Sequence, residues 1–246
     1  MTHANTVLIA AVRAELARAA DPAKAPTMQA YMKSAMPYLG VPMPLVRAVC
    51  RTVFGDHLLA NFEEWRDTAL ALWRDAQFRE ERYAAIALTG DRRYRDYQRL
   101  AALPMYEEMI VSGAWWDYVD ELASHRLGPL LARYPEEMRP KMRAWSRDKN
   151  LWKRRGAILA QLGFKGDTDE ELLYACIAPN LADHDFYIRK AIGWALREYA
   201  KTNPDAVRRY VREHDATLSP LSRREAMKHL SETDNSDNET DVGSPA

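Results

Sequence analysis

Lys190, Trp194, Arg197 and Lys201 repeat at i, i+4, i+7 and i+11 along Asp185-Phe186-Tyr187-Ile188-Arg189-Lys190-Ala191-Ile192-Gly193-Trp194-Ala195-Leu196-Arg197-Glu198-Tyr199-Ala200-Lys201. On a helix this row lies roughly 200° from the apolar stripe of Ile188, Ile192, Ala195 and Tyr199. Three cations aligned with one indole suit phosphate contact combined with stacking on a sugar or base. The structural alternative is a tryptophan packed on the next helix, with the lysines in water.

A second segment runs Lys149-Asn150-Leu151-Trp152-Lys153-Arg154-Arg155-Gly156-Ala157-Ile158. Arg155 falls in the apolar row of Leu151, Ile158 and Leu162, where a guanidinium needs an acidic or phosphate partner, because an unpaired buried charge is expensive. An internal salt bridge would serve equally well. Arg154 points away from that row and reads as a solvated residue. In the third segment, Trp115-Trp116-Asp117-Tyr118-Val119-Asp120, the stripe of Trp115, Val119 and Leu122 can face a core. Trp116 and Asp120 share a row turned about 100° from it. An indole and a carboxylate thus stand one turn apart at the core's margin; a half-buried tryptophan beside a solvated aspartate is the alternative.

The elements that must position these residues are helical throughout. Periodicity near 3.6 runs almost end to end, and no stretch alternates with period two. Helices are expected near 3–19, 27–36, 42–54, 58–73, 78–89, 95–112, 114–133, 135–147, 149–163, 168–178, 184–202, 204–213 and 219–230. Ser219-Pro220 and Asn203-Pro204 place a cap residue before a first-turn proline. Asp167 with Glu170 resembles a capping box. Short helices joined by tight turns suggest stacked pairs of about forty residues, a HEAT-like helical-repeat solenoid with one concave face. A compact helical domain is the alternative.

Composition narrows the function classes. Lys+Arg and Asp+Glu are equal at 35 each, but residues 231–246 hold five acids (Glu232, Asp234, Asp237, Glu239, Asp241) and no base or aromatic. Residues 1–230 are read as a single domain and 231–246 as an acidic disordered tail. Without that tail the chain carries a net charge of about +5, mildly basic. The two cysteines, Cys50 and Cys176, lie far apart, which argues against a disulfide framework or zinc site. No HExxH, P-loop, GxGxxG or GxSxG motif occurs, and the histidines at 3, 57, 125, 184, 214 and 229 lack ligand spacing. The expectation is therefore an enzyme or binding protein without metal or cofactor. The apolar run near the N-terminus is broken by Arg13, Glu15 and Arg18 and reads as an amphipathic helix, not a leader or membrane span.

At these segments the chain resembles the AlkD-like DNA alkylation repair family. The resemblance is carried by WWDxVD (Trp115 to Asp120), LWxxRxAI (Leu151 to Ile158), IRKAIGWALREYAKTNP (Ile188 to Pro204), LSRREAMKHL (Leu221 to Leu230) and YMKSAMPYLGVPMP (Tyr31 to Pro44). It spans essentially residues 5–230. Pro42 and Met43 stand where relatives often carry polar residues, so one backbone contact is expected to be absent or replaced there.

The resemblance implies an all-α, HEAT-like superhelix with a concave basic groove for duplex DNA. It implies a monofunctional glycosylase, monomeric and cytoplasmic, that hydrolyses the N-glycosidic bond of N3- and N7-alkylated purines. The family's active-site quartet carries over as Trp116, Asp120, Arg155 and Trp194. Asp120 would stabilise the oxocarbenium-like sugar and orient water, the two tryptophans would face the cationic nucleotide, and Arg155 would clamp phosphate. Lys190, Arg197, Lys201, Arg154 and Tyr31 would hold the DNA less specifically. The family leaves the lesion largely outside protein contact, which would admit bulky adducts as well as 3-methyladenine and 7-methylguanine. No lysine is singled out as a nucleophile, so no lyase step is expected. A non-catalytic DNA-shape or damage-binding protein and a HEAT-type protein scaffold are the competing readings.

Overall fold

The computed structural model describes residues 3–230. The expected acidic tail, 231–246, lies outside the described residues. Among the described residues there are fourteen α-helices and no strand, a helical-repeat arrangement. Contacts divide the chain into two compact units, one up to Lys141 and one from Met142 onward.

The first unit contains α1 (Thr6–Arg18), α2 (Ala25–Met32), α3 (Met43–Asp56), α4 (Phe62–Arg74), α5 (Arg79–Thr89), α6 (Leu103–Gly113), α7 (Trp116–Leu122) and α8 (Gly128–Arg133). Helix α9 (Pro135–Trp145) carries the boundary. Helices α1, α3, α5 and α7 pack in succession, α3 on α1, α5 on α3 and α7 on α5, while α4 and α6 back them. The core between these layers holds Trp65, Trp73, Tyr106 and Tyr118, all fully buried. Large aromatic bodies of this kind dominate the burial energetics of a helical core.

The second unit contains α10 (Leu151–Leu159), α11 (Glu170–Ile177), α12 (Phe186–Ala200), α13 (Pro204–Glu213) and α14 (Pro220–Ala226). Here α12 packs on α10 and α14 on α12, with α11 against α10 and α13 against α12. The expected stripe of Ile188, Ile192, Ala195 and Tyr199 is buried. In both units the same kind of layer carries the residues of interest: α7 in one, α10 and α12 in the other.

The structure departs from the sequence reading at identifiable places. The segment expected as one helix over 114–133 is helical without a break from Trp116 to Arg133, with one wider π turn at Ala123–Leu127 between α7 and α8. Residues 92–97 and 100–102, expected partly inside a helix from 95, form tight 3-10 turns ahead of α6. Helix α11 is capped by Asp169, whose side chain accepts the Leu172 N–H, and not by Asp167, which sits in a 3-10 turn at Lys165–Asp167. Ser219 and Asn203 cap α14 and α13 as expected, accepting the Ser222 and Ala206 N–H groups.

Candidate functional site

In the first unit, Trp116 and Asp120 are set by how α7 is anchored. Ala114 ends α6 in the left-handed region, with φ of +45°, and turns the chain directly into Trp115, the N-cap of α7. The next residues decide the helix's rotation. Tyr118, Val119 and Leu122 are fully buried, whereas Trp115, placed in the core stripe by periodicity, is only half-buried at the cap. Asp117 binds the buried Arg79 through both carboxylate oxygens, at 2.7 and 2.8 Å. Tyr83 donates to the same carboxylate at 2.7 Å and shares a hydrogen bond with Tyr38 at 2.8 Å. The Arg79 guanidinium also lies over the Tyr118 ring, 4.2 Å from its centroid.

These contacts explain the titration shifts here. Burial, followed by the Asp117 charge, pushes the Tyr83 phenol well above its ordinary pKa. Burial works against the Arg79 charge, yet the Asp117 carboxylate raises its pKa beyond the usual arginine value. With α7 locked on α5 this way, Trp116 and Asp120 stay half-buried at the margin of the packed face.

Trp116 lines a cleft of about 300 Å³ together with Met43, Val46, Arg47, Ile86 and Glu121. One wall is the start of α3, which follows the Leu39–Val41 loop. Gly40 takes φ of +85° there, a region that favours glycine. The fully buried Glu80 accepts the N–H groups of Leu39, Gly40 and Val41 at 2.9 to 3.0 Å. Pro42 is then the N-cap of α3, and Met43 lies in the cleft wall. Tyr31, in the last turn of α2, is 76 % exposed.

In the second unit, Asn150 starts α10 by accepting the Trp152 and Lys153 N–H groups. Arg155 is buried, at 4 % exposure, and its Nη1 donates to the Tyr187 carbonyl in the first turn of α12. The Trp152 ring packs 5.2 Å from the Tyr187 ring beside it. Arg155 thus ties α10 to α12.

Arg154, expected to be solvated, is instead only about one-fifth exposed. It donates to Asp183 at 2.9 Å and to the carbonyls of Asp148 and Lys149. The physical reason is that the turn before α12 brings a carboxylate within reach of the guanidinium fork.

Trp194 is half-buried on α12, but the row it shares is not an open basic face. Gly193 removes the side chain that would keep α14 away: a Cβ there would lie 2.5 Å from the Glu225 Cβ and 2.9 Å from the Ser222 carbonyl oxygen. Ser222 in turn donates to the Arg189 carbonyl at 2.9 Å. Glu225, carried by α14, binds Lys190 at 2.7 Å and Arg197 at 2.6 Å. The Lys190 hydrogen bond holds the Glu225 carboxyl below its usual pKa, against the opposing effect of burial. Lys201 pairs with Glu198 one turn back, at 2.7 Å.

The structure therefore keeps Trp116 with Asp120 on α7, and joins Arg155 to the start of the helix that bears Trp194. Sequence reasoning missed Asp117, Arg79 and Arg47. Arg79 and Tyr83 do stand at i and i+4, but a charged run such as Arg79-Glu80-Glu81-Arg82 ordinarily reads as a solvated helix start. Among the described residues, no group of three or more His, Cys, Asp or Glu is placed to hold a metal ion. None of the described helices is long and apolar enough to cross a membrane.

Comparison with known proteins accords with this geometry. The model of the DNA alkylation repair enzyme family matches residues 12–230, and the chain belongs to that family. A solved structure described as a predicted DNA alkylation repair enzyme from Enterococcus faecalis is 31% identical, with a TM-score of 0.78 over 87% of this chain and 97% of that one. The crystal structure of smu.31 from Streptococcus mutans UA159 shares the fold at 18% identity and a TM-score of 0.58, covering 77% of this chain and 93% of that one. No curated protein matches the chain.

Proposed function

We propose that this chain is a DNA glycosylase that releases cationic N3- and N7-alkylated purines from duplex DNA, with residues 1–230 acting as one catalytic domain. The observation that carries the reading is the placement of Trp116 and Asp120 one turn apart and half-buried on α7, whose rotation the Asp117–Arg79 lock fixes. A carboxylate preplaced beside an aromatic face suits a reaction in which positive charge moves from base to sugar.

In that reaction the C1′–N bond breaks and its electron pair neutralises the cationic base, so no acid need protonate the leaving group. Positive charge grows on the deoxyribose, where Asp120 stabilises it and orients water. The water oxygen bonds to C1′, and its proton passes to Asp120 or to solvent. Trp116 and Trp194 offer their ring faces to the nucleotide, and Arg155 supplies a planar fork for phosphate. The buried position of Arg155 makes it a fixed donor, held in part by the Tyr187 carbonyl. Lys190, Arg197, Lys201, Arg154 and Tyr31 complete the assignment to DNA. The four cations keep carboxylate partners within the chain, so each contributes less to binding than an unpaired cation would. Hydrolysis without a lysine nucleophile leaves an abasic site and an intact strand.

The test is release of free base from duplex DNA carrying 7-methylguanine or 3-methyladenine. The parent protein is expected to exceed the spontaneous rate. Asp120→Asn should lower that rate by about 10²-fold or more, the scale of losing one preplaced electrostatic group. No release by the parent protein, with DNA binding retained, would instead favour a damage-binding protein.

A further inference from the structure

Three guanidinium groups line one row of α3. Arg47 and Arg51 are one turn apart and both exposed. Neither forms a hydrogen bond or ion pair among the described residues. Gly55 continues the row by another turn, and the place of its missing side chain is taken by Arg93: a Cβ on Gly55 would lie 3.2 Å from the Arg93 Nη2. Arg93 is held there by Asp91, which binds its Nη1 at 2.9 Å and also caps its backbone N–H. The Arg93 side chain remains 41 % exposed, and a guanidinium has five donors, so Asp91 leaves several of them available.

The backbone geometry spaces this row. Four residues of α-helix advance about 6 Å, so Arg47, Arg51 and the Gly55 position cover roughly 12 Å along one face. A file of cations at such regular steps suits a polyanion that repeats its charge regularly, more than it suits a single small anion. The file also has a defined end. Arg47 lines the same cleft as Trp116, so a strand presenting its sugar to Trp116 can continue along α3.

We propose that Arg47, Arg51 and Arg93 form a phosphate-binding row that holds the backbone of one DNA strand beside the nucleotide at Trp116. The choice of DNA as the polyanion rests on the glycosylase reading above. The row orients the strand and carries no base readout, because arginines spaced along a helix outside a groove meet phosphate oxygens and not base edges.

Binding to an undamaged duplex, followed by fluorescence anisotropy between 50 and 200 mM salt (roughly the range where counterion release is strongest), tests the row separately from catalysis. Arg47→Ala and Arg51→Ala should each flatten the slope of log affinity against log salt by about one, Arg93→Ala by less because Asp91 already shares its charge, and the triple variant by roughly two to three. Arg18→Ala, at an exposed arginine paired with Glu15 on α1, should leave the slope unchanged. Unchanged slopes in the row variants would overturn the proposal, as would an equal effect from Arg18→Ala, which would reduce the row to net charge alone. Preferential loss of binding to phosphatidylglycerol vesicles, with DNA binding intact, would overturn it in favour of a membrane. If the parent protein releases alkylated bases while the row variants keep the parent's slope, the row fails and the glycosylase reading stands. If the slopes change but no base is released, the row stands and the glycosylase reading fails.

Discussion

The two units carry their cations in opposite ways. In the first, Arg47 and Arg51 on α3 have no ion pair among the described residues, and Arg79 is buried in a lock with Asp117 that fixes α7. In the second, the row that looks most like a nucleic-acid surface is paired within the unit: Glu225 bridges Lys190 and Arg197, and Glu198 holds Lys201, while on α10 Asp183 holds Arg154. The difference teaches that a periodic row of basic residues reports a helix face, not the availability of its charges. Availability depends on partners delivered from elsewhere. Glu225 lies 35 residues beyond Lys190 and 28 beyond Arg197, out of reach of any local pattern.

The sharpest way to break this comparison is to open the lock in the first unit. Asp117→Ala leaves the buried Arg79 without its carboxylate and the Tyr83 hydroxyl without its acceptor. Removing one partner of a buried ion pair costs about 3–5 kcal/mol, so urea or thermal unfolding should show a loss of that size, with the rotation of α7 disturbed. A loss below about 1 kcal/mol, the range of exposed ion pairs, would mean that the lock does not hold α7. In the second unit the corresponding test is Gly193→Ala. The added methyl meets the Glu225 Cβ and the Ser222 carbonyl, so α14 must shift outward. Overpacking of this kind costs typically 1–3 kcal/mol. The shift should also lengthen the Glu225 contacts, making the variant's salt dependence on DNA steeper than the parent's. An unchanged stability would show that α14 is not seated against Gly193.

Much of this architecture was legible in the chain, and the rest was not for physical reasons. The stripe of Ile188, Ile192, Ala195 and Tyr199, the caps at Ser219 and Asn203, and the Trp116–Asp120 row all follow from local spacing. These features depend on residues within two turns of each other, which is the range that helical periodicity reports. The turn at Ala123–Leu127 was not legible, because Ala123 and Leu127 are buried like helix residues on either side and the extra residue leaves the apolar pattern nearly intact. Nor were the Arg79–Asp117 pair, 38 residues apart, and the triple acceptance by Glu80, since a charged residue in a polar run gives no sign of burial. Asp167 and Asp169 both precede α11, and only the backbone turn decides which one caps it. The candidate quartet rests on residue types together with the family resemblance. What holds it in place came from contacts between distant segments.

Glu225 itself offers the smallest effect and the finest discrimination. Its folded pKa is depressed by the Lys190 hydrogen bond, so its ion pairs contribute stability that is fully present above the ordinary glutamate pKa and is lost as pH falls through the depressed folded value. Glu225→Gln removes the charge but keeps the shape. At neutral pH the variant should therefore be less stable by roughly 1 kcal/mol, the scale of a partly exposed ion pair. The gap should close as acid protonates the parent. The same substitution releases Lys190 and Arg197. If those two also meet phosphate, the salt slope for DNA should steepen by up to about two. If the stability gap appears and the slope stays constant, Lys190 and Arg197 serve to seat α14, and DNA contact on α12 is left to Trp194 and Lys201. A gap that persisted unchanged at acid pH would show that the charge of Glu225 plays no part in holding α14 to α12.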